Sequence, residues 1–350
     1  IFCHFIHIYQ IARKCALRNC LMVRKFVFMI TFMMKNTVFI DGSAGTTGLQ
    51  VASRLLKRKD ICLISLSETE RKSEEKRAQA MRQADITILC LPDEAAIQAA
   101  ELAKGIGSRV IDASSAHRTA QGWVFGFPEL CLKQKSKIAN ASFVSNPGCY
   151  ASGFIALSRP LVSGGYISKD LCLVTPAVSG YSGGGRNMIA SIENGELPSH
   201  FDYSLDLSHK HIPEMMMYSG LEMPPLFMPS VGLFKQGMLV RLAIPKAQFL
   251  RDITIHDIYE LYRVAYQEHS LIRICEFEGK SLLKSASFLS ADGLAGYDGL
   301  EIYCFNNPKT EQFLIIARLD NLGKGAAGAC VQNLNIMLGC NPYIGLNLQK

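Results

Sequence analysis

The sequence lacks the features that define several large classes of protein. It has no long apolar run: the longest uncharged stretch near its basic start, Phe26 to Met34, is too short to cross a bilayer. It has no internal repeat and no low-complexity stretch. Its formal net charge is +7, but six of the basic residues lie in the first 36 residues, which contain no acidic one, so the remainder is almost neutral. Neither a nucleic-acid partner nor a membrane partner is therefore predicted.

The first 33 residues form a basic leader with neither sustained periodicity nor turn signals. We interpret the leader as upstream translated sequence or a processing segment, and we expect the folded chain to begin near Met34. A mitochondrial transit peptide is the alternative, because the leader is basic and acid-free, although it is poor in serine.

The twelve cysteines are scattered, and none belongs to a CxxC pair. This pattern predicts free thiols in a reducing compartment, with the cytoplasm as the expected location. The spacing of possible metal ligands is also poor. His209 and His211 would share one face of a strand, but no second cluster of ligands completes a site, so no metal is predicted.

What the sequence does contain is a regular alternation of strands and helices. From Thr37 to Asp112, short apolar strands alternate with helical segments, which predicts an α/β fold with a Rossmann-type, doubly wound parallel sheet over residues 34–148. After Cys149 the segments become longer and richer in strand residues. They predict a second, α+β domain with a mixed sheet over residues 149–320.

A glycine-rich loop joins the first predicted strand to the first predicted helix. Its residues are Gly42, Ser43, Ala44, Gly45, Thr46, Thr47 and Gly48. The spacing is GxxGxxG rather than GxGxxG, but the loop lies where backbone N–H groups at a helix start can bind a pyrophosphate. The loop predicts dinucleotide binding, with a plain tight turn as the alternative.

The choice of dinucleotide depends on the end of the second strand, where an enzyme that uses NAD usually has an acidic residue. Here the strand ends with Ser65-Leu66-Ser67, and Arg71 and Lys72 follow soon after. Small hydroxyl groups and nearby cations favour the 2′-phosphate of NADP, with Ser67 as the contact. Glu68 or Glu70 would take the acidic role if the strand were longer.

A single cysteine lies just inside another predicted helix start. Asn146 is expected to cap this helix, Pro147 suits its first position, and Gly148 permits close approach of another molecule. The positive end of the helix dipole should lower the pKa of the Cys149 thiol, and free backbone N–H groups beside it could hold an oxyanion. The pattern indicates a nucleophile, with a buried free cysteine as the alternative.

A nucleotide domain followed by such a cysteine favours oxidoreduction through a thioester, which needs an acid or base near the sulfur. The segment from Ser208 to Met215 supplies the best group. A histidine in it can accept the thiol proton and later donate to the thiohemiacetal oxygen, and Glu214 can orient it. These residues alone leave both His209 and His211 as candidates for this role.

Six motifs then carry a specific resemblance. They occur together and in order at residues 42–48, 112–118, 146–150, 179–186, 209–214 and 321–328. Over about Met34 to Gly339 the chain resembles the N-acetyl-gamma-glutamyl-phosphate reductases, in particular their shorter second type. Ser152 departs from the family pattern, in which Thr is commoner.

The resemblance implies roles for individual residues at the reacting centre. Cys149 matches the nucleophile, and His211 matches the acid/base with Glu214 as its orienting partner. His209 is then expected to line the substrate pocket, and it is the alternative candidate for the base. Arg118 matches a position expected to bind an anionic group of the substrate.

On the cofactor side, the resemblance places Ser182 and Gly183 in a loop facing the nicotinamide, and Asn321 on its carboxamide. The helix from Ala326 to Leu338 is expected to return and complete the first domain, together with its flanking residues over 321–339. Family members usually form homodimers or homotetramers.

The implied reaction is the NADPH-dependent reduction of N-acetylglutamyl 5-phosphate, a small acyl phosphate, to the semialdehyde in arginine biosynthesis. An aspartate-semialdehyde dehydrogenase is the nearest rival, but it usually has Asn where Gly148 precedes the nucleophile. A regulatory protein that senses NADP would need neither nucleophile nor base.

Overall fold

A computed structural model of the protein describes residues 35–275 and 288–348. The predicted leader lies outside these residues. Within the described ranges, no helix is long and apolar enough to cross a membrane. The cysteines in these ranges are all free thiols, as predicted.

Six strands form a parallel sheet in the order β2-β1-β3-β4-β6-β5. They are β1 (Asn36–Asp41), β2 (Ile61–Ile64), β3 (Ile86–Leu89), β4 (Val110–Asp112), β5 (Val124–Phe125) and β6 (Phe143–Ser145). The helices between them are α1 (Thr46–Leu55), α2 (Glu74–Gln83), α3 (Asp93–Gly105) and α4 (Gln134–Asn140). One apolar core contains Val51 of α1, and a separate core contains Met81 of α2, so helices cover both faces. The predicted doubly wound sheet is confirmed.

Two predicted boundaries in this half are displaced. Helix α1 begins at Thr46 rather than Leu49, because the extended Gly45 already acts as its N-cap. Strand β2 ends at Ile64 instead of Leu66. Thr46 and Thr47 therefore lie in the first helical turn, next to the loop that the sequence assigns to phosphate binding.

The second sheet has seven strands in the order β11-β12-β13-β10-β7-β9-β8. They are β7 (Val174–Gly180), β8 (His200–Asp202), β9 (Leu226–Gly232), β10 (Met238–Pro245), β11 (Ile272–Ile274), β12 (Leu300–Asn307) and β13 (Gln312–Leu319). The helices of this part are α5 (Cys149–Ser163), α6 (Gly185–Glu193), α7 (Ile212–Ser219) and α8 (Ile255–Tyr266). Pairs β7·β9 and β11·β12 are parallel and the others antiparallel, which confirms the mixed sheet.

Helix α5 is the centre of the larger core, since nearly all of its residues are buried and its apolar side chains pack between the mixed sheet and neighbouring helices. Pro160 within it has no N–H to donate to the carbonyl of Ala156. Tyr266 Oη donates to that carbonyl at 2.8 Å instead. The helix therefore continues without a lost hydrogen bond and presents its first residue, Cys149, at the boundary between the two sheets.

The chain returns to the parallel sheet at its end. A π-helical turn at Gly323–Ala327 leads into helix α9 (Gly328–Met337). Val331 and Leu334 of α9 pack in the same core as Val51 of α1. Helix α9 therefore belongs structurally to the parallel-sheet half of the fold, although it follows the mixed sheet in the sequence.

Candidate active site

The functional side chains meet in a cavity of about 360 Å³ between the two sheets. Strand β6 ends at Ser145, at the carboxyl edge of the parallel sheet, and the chain then passes directly into the cavity wall. Ligands of open α/β folds bind at this edge. The cavity is lined by most of the predicted site residues, namely Thr46, Thr47, Arg118, Cys149, Ser182, Gly183, His209, His211 and Asn321.

Cys149 is the first residue of α5, but the predicted cap is wrong. Gly148 is the N-cap, and Pro147 precedes the helix. The side chain of Asn146 donates instead to the carbonyl of Ala326 at 3.0 Å and accepts from Asn333 Nδ2 at 3.1 Å. Asn146 therefore ties the approach to the helix to the end of the chain.

Three functional groups converge on Gly148. A Cβ at this position would lie 2.5 Å from Arg118 Nη1, 2.5 Å from His211 Nε2 and 2.6 Å from Glu214 Oε1. No side chain fits there, so glycine is required by the close approach of these groups. The guanidinium, the imidazole and the carboxylate are thereby packed against the backbone that immediately precedes the sulfur.

Glu214, in the first turn of α7, is buried and binds two of these neighbours. Its Oε1 accepts from Arg118 Nη1 at 2.7 Å, and its Oε2 accepts from the Gly148 N–H at 3.1 Å. Burial raises the pKa of Glu214, although Arg118 and the Gly148 N–H oppose this shift. Neither hydrogen bond reaches His211, so the expectation that Glu214 orients this imidazole is wrong for the structure. Glu214 orients Arg118 and the start of α5.

Arg118 is held on several sides. Its Nε donates to the carbonyl of Asn146 at 3.1 Å, and its own carbonyl accepts from Tyr218 Oη at 2.7 Å. The preceding residue, His117, contacts Asp112 of β4 through Nδ1 at 2.6 Å. A fixed, buried guanidinium at the cavity wall is suited to bind a carboxylate or a phosphate.

The environment of the thiol differs from the sequence expectation. Burial raises the pKa of Cys149 to about 11, with Glu214 acting in the same direction. Arg118 and the backbone N–H groups of Cys149 and Tyr150 oppose this shift without overcoming it. The predicted lowering of this pKa is therefore wrong for the free protein, because the desolvation of the site and a nearby carboxylate outweigh the helix start. The free cysteine is a thiol at neutral pH.

The two histidines have different surroundings. Burial is the main cause that lowers the pKa of His209 to about 4 and the pKa of His211 well below 6.5, so both imidazoles are neutral. His209 Nδ1 accepts from the backbone N–H of His211 at 3.0 Å, and its Nε2 lies 3.4 Å from Tyr203 Oη. The buried Nδ1 of His211 has no hydrogen-bond partner among the described residues. His211 is thus the histidine with proton-accepting capacity still available.

The glycine-rich loop has the geometry of a phosphate cradle. Gly42 has φ +86°, and a Cβ there would collide with the carbonyl of Cys90. Helix α1 starts from Gly45 with no side-chain cap and no acidic residue in its first turn, which leaves N–H groups for an anion. Ser43 and Ala44 complete the turn, and Gly48 packs against it. A groove of about 410 Å³ runs between Thr47 and the start of α6. These residues fit a dinucleotide pyrophosphate.

The loop before α6 closes the other side of this groove. Arg186 donates to the carbonyl of Ala44 across it. Ser182 Oγ accepts from Asn321 Nδ2 at 2.9 Å, and Asn321 Oδ1 accepts from the Gly237 N–H at 2.9 Å. Both ends of the Asn321 amide are therefore bound within the protein, and Asn321 orients Ser182 beside Gly183.

The turn after β2 holds the predicted contact for the cofactor ribose. The backbone N–H and the hydroxyl of Ser67 both donate to Glu70 Oε2, at 2.9 and 2.7 Å. These hydrogen bonds lower the pKa of Glu70. Arg71 borders a small cavity that Ser43 also lines, and its buried Nε has no partner among the described residues.

Comparisons with known proteins agree with this arrangement. Residues 149–321 match the family model described as semialdehyde dehydrogenase, dimerisation domain, and residues 56–139 match the semialdehyde dehydrogenase, NAD binding domain. N-acetyl-gamma-glutamyl-phosphate reductase 2 of Nostoc sp. is 45% identical over 323 residues, covering 90% of this chain and 100% of the relative. The corresponding reductase of Brucella ovis is 42% identical over 312 residues, covering 87% and 100%. The chain belongs to the N-acetyl-gamma-glutamyl-phosphate reductase family.

Solved structures share the fold of this family member at low sequence identity. Aspartate semialdehyde dehydrogenase II from Vibrio cholerae has a TM-score of 0.66 and 16% identity, over 87% of this chain and 98% of that one. The Candida albicans enzyme, solved with NADP, has a TM-score of 0.62 and 14% identity, over 87% and 98%. Both likenesses support the two-sheet architecture. At identities this low they show the fold alone and do not identify the substrate.

Several lining residues were missed by the sequence reasoning. Tyr150, Tyr203 and Lys210 border the cavity, as does Gly325 from the π-helical turn. Lys210 lies between the two predicted histidines, so its neighbours provided a signal for it. Tyr203 comes from a segment with no motif, and only the fold brings it to the site.

Proposed function

We propose that the protein reduces N-acetyl-L-glutamyl 5-phosphate to N-acetyl-L-glutamate 5-semialdehyde and phosphate, with NADPH as reductant, in arginine biosynthesis. The observation that carries this proposal is the convergence of Arg118, His211 and Glu214 on Gly148, directly before Cys149. The names of the relatives support the substrate, since two of them are reductases of this acyl phosphate. Cys149, His211, Glu214 and Arg118 are the proposed reacting and binding groups.

The first half-reaction forms an acyl-enzyme. His211 accepts the thiol proton of Cys149 as the sulfur attacks the acyl carbon, and inorganic phosphate leaves with the electrons of the C–O bond. The neutral imidazole makes this transfer possible, because a protonated His211 could not accept it. Arg118 binds an anionic group of the substrate, and the N–H groups at the start of α5 face the developing oxyanion.

The second half-reaction releases the aldehyde. When bound, the dihydronicotinamide supplies a hydride to the thioester carbon. The imidazolium of His211 stabilises and protonates the oxygen of the resulting tetrahedral adduct on Cys149. As the C=O bond re-forms and the C–S bond breaks, His211 takes back that proton and transfers it to the sulfur, which restores the starting thiol and neutral imidazole.

Two features support NADP as the preferred dinucleotide. The carboxylate of Glu70 is bound to Ser67 within its own turn, so it is turned away from the role that an acidic residue has toward NAD. Arg71, whose Nε has no partner among the described residues, borders the small cavity that Ser43 of the glycine-rich loop also lines. A 2′-phosphate would give that buried donor a partner.

The uncovered outer face of the mixed sheet supports a homodimer. Val174, Leu226, Met228 and Leu314 on this face are 36–40% exposed. The matched family model is a dimerisation domain that covers these strands. We propose that a second copy covers this face, which sedimentation of the protein and of a Met228→Glu variant would test.

We also propose that the boundary between the two domains lies between Gly148 and Cys149. The proposed location of the protein is the cytoplasm.

An assay in the oxidising direction tests the activity. The protein is supplied with N-acetylglutamate 5-semialdehyde, phosphate and NADP, and the formation of NADPH is followed by absorbance. Turnover that requires phosphate and is lost by more than about 1,000-fold in Cys149→Ser is expected. Cys131→Ser is the matched control, because Cys131 is exposed and does not line the cavity. Higher kcat/KM with aspartate semialdehyde would contradict the proposed substrate and favour the rival activity.

A further inference from the structure

A charged group lies buried behind the reacting cysteine, and the proposed reaction does not use it. The ammonium of Lys324 donates to both carboxylate oxygens of Glu129, at 2.8 Å each, and to Gln332 Oε1 at 2.7 Å. Gln332 Nε2 in turn donates to Glu129 Oε1 at 2.9 Å. The three residues are 1–4% exposed, so these contacts are shielded from bulk solvent. We call this group of three residues the Lys324 anchor.

Burial acts against the charged form of both ionisable groups of the anchor: it lowers the pKa of Lys324, although the carboxylate of Glu129 opposes this shift. Burial acts to raise the pKa of Glu129, but the ammonium of Lys324 and the amide of Gln332 outweigh it and hold this pKa below its ordinary value. The ring of Phe127 lies 5.1 Å from the Lys324 nitrogen and covers it on one side. The three hydrogen bonds of the ammonium therefore all have acceptors within the protein.

Lys324 belongs to the π-helical turn that forms one wall of the reaction cavity. Gly325, the next residue, packs directly on the cysteine, because a Cβ at Gly325 would lie 2.7 Å from Cys149 Cβ. The carbonyl of Ala326 accepts from Asn146 Nδ2 at 3.0 Å. One side of this turn thus contacts the groups around the sulfur, and the side chain of Lys324 fixes its other side to Glu129 and α9.

A π-helical turn is rare and is intrinsically less favourable than an α-helical one, so its position needs outside support. Apolar side chains would support stability as well as a buried ion pair does, because the pair must be desolvated. An apolar group, however, makes no directional contact. Three short hydrogen bonds from one ammonium fix both the position and the rotation of the residue that carries it.

We propose that Lys324 is a positioning residue, which holds the π-helical turn against Cys149 and Asn146 through its hydrogen bonds to Glu129 and Gln332. The proposal concerns the geometry of the sulfur, and its kinetic consequence rests on the proposed function. A displaced turn would misplace the thiol relative to His211 and to the acyl carbon. Misplacement by about 1 Å costs up to about 100-fold in rate.

The test removes the anchor without leaving an unpaired charge. Lys324→Met alone would leave Glu129 charged and buried, so the variant to examine is Lys324→Met with Glu129→Leu, which has an apolar pair of similar size. We expect it to fold and to bind NADP within about twofold of the parent, because the nucleotide contacts lie elsewhere. We expect kcat in the semialdehyde assay to fall about 10- to 100-fold. The rate of alkylation of Cys149 by iodoacetamide should change at least about fivefold.

A matched control comes from a second buried ion pair on the far side of the mixed sheet. Arg318 Nε donates to Glu301 Oε2 at 2.8 Å, and both residues are buried but neither lines the cavity. Arg318→Met with Glu301→Leu should change the melting temperature while leaving kcat and the alkylation of Cys149 unchanged. Native kcat and native alkylation in the Lys324 double variant would overturn the proposal, as would equal effects in the control.

The alkylation measurement separates this proposal from the proposed function. It needs no substrate, so a changed alkylation rate supports the positioning role even if the parent protein does not oxidise the semialdehyde. In that case only the proposed function fails. If the Lys324 double variant instead had a native alkylation rate and full turnover, the proposed function would stand. The Lys324 anchor would then contribute only to stability.

Discussion

Glu214 Oε2 accepts a hydrogen bond from the Gly148 N–H at 3.1 Å, which places a buried carboxylate at the amino end of the helix that carries Cys149. A negative charge stabilises a helix start, but it also raises the pKa of a thiol nearby. Burial of the thiol, with this carboxylate acting in the same direction, therefore keeps the sulfur protonated in the free protein. In the proposed reaction, the thiolate therefore forms only when the substrate is bound and His211 accepts the proton.

Gly148→Ala tests whether the close approach at this position is required. The added methyl group would lie within 2.6 Å of Arg118, His211 and Glu214, so at least one of them must move. We expect kcat to fall at least about 100-fold. Gly105→Ala is the matched control, because Gly105 ends α3 with open space around its Cβ position, and its activity should be unchanged. An active Gly148→Ala variant would mean that these three groups need no fixed position.

His211→Gln and His209→Gln distinguish the two histidines. We expect His211→Gln to lower kcat by about 100- to 10,000-fold, since it removes a general acid and base. His209→Gln should cost less than about tenfold, because both nitrogens of His209 contact the protein. Steady-state kinetics in the semialdehyde assay measure both effects. The reverse ranking would assign the proton transfer to His209.

The pH dependence of the parent follows from the same imidazole. Because burial lowers the pKa of His211, the proton-accepting form persists as the pH falls and is lost only well below pH 6.5. The acid limb of the kcat/KM profile should therefore lie below that value. A limb at or above pH 6.5 would show that the base titrates as an ordinary exposed histidine.

Alkylation of Cys149 tests its protonation state directly. With a pKa of about 11, the thiolate fraction should increase about tenfold for each pH unit, and the rate with iodoacetamide should show no plateau between pH 6 and pH 9. Peptide mass spectrometry follows the site, with exposed Cys131 as the internal comparison and Cys149→Ser as the blank. A plateau near neutral pH would indicate a resting thiolate, as the helix start alone predicts.

Arg71→Gln tests the dinucleotide preference. Loss of the guanidinium should lower kcat/KM for NADP by about 10- to 100-fold and leave the value for NAD nearly unchanged, because only NADP has the 2′-phosphate. Ser67→Asp should narrow the preference by repelling that phosphate. Arg82→Gln is the control, since Arg82 is an exposed residue of α2 that borders none of the cavities around the glycine-rich loop. Equal efficiency of the parent with both dinucleotides would contradict the interpretation of this turn.

Local signals in the sequence were sufficient for much of the fold. The start of helix α8 is an example, because its capping box is formed by Thr254 and Asp257, which are only three residues apart in the sequence. The glycine-rich loop and the start of α5 were also located, since each is encoded by contiguous residues. The mixed sheet was predicted only as a class, because its strand order depends on pairings between distant segments.

The side-chain partners within the site were not predictable in the same way. Glu214 and His211 are close in sequence, which favoured a contact between them, yet the structure turns the carboxylate toward Arg118 and Gly148. The pKa of Cys149 also depends on how completely the thiol is buried, which no local pattern reports. Lys324 looks like an exposed residue of a glycine-rich turn until Glu129, from a distant segment, is brought next to it.

The return of α9 to the parallel sheet affects how the protein is made. A ribosome has synthesised all six strands of that sheet by Ser145, but Val331 and Leu334, which belong to one of its two cores, follow only after the whole mixed sheet. Until α9 has been synthesised, helices α1 and α4 cover that face of the sheet only in part, because Val51 and Ile138 share this core with α9. The core of the nucleotide half is therefore complete only after α9 has left the ribosome.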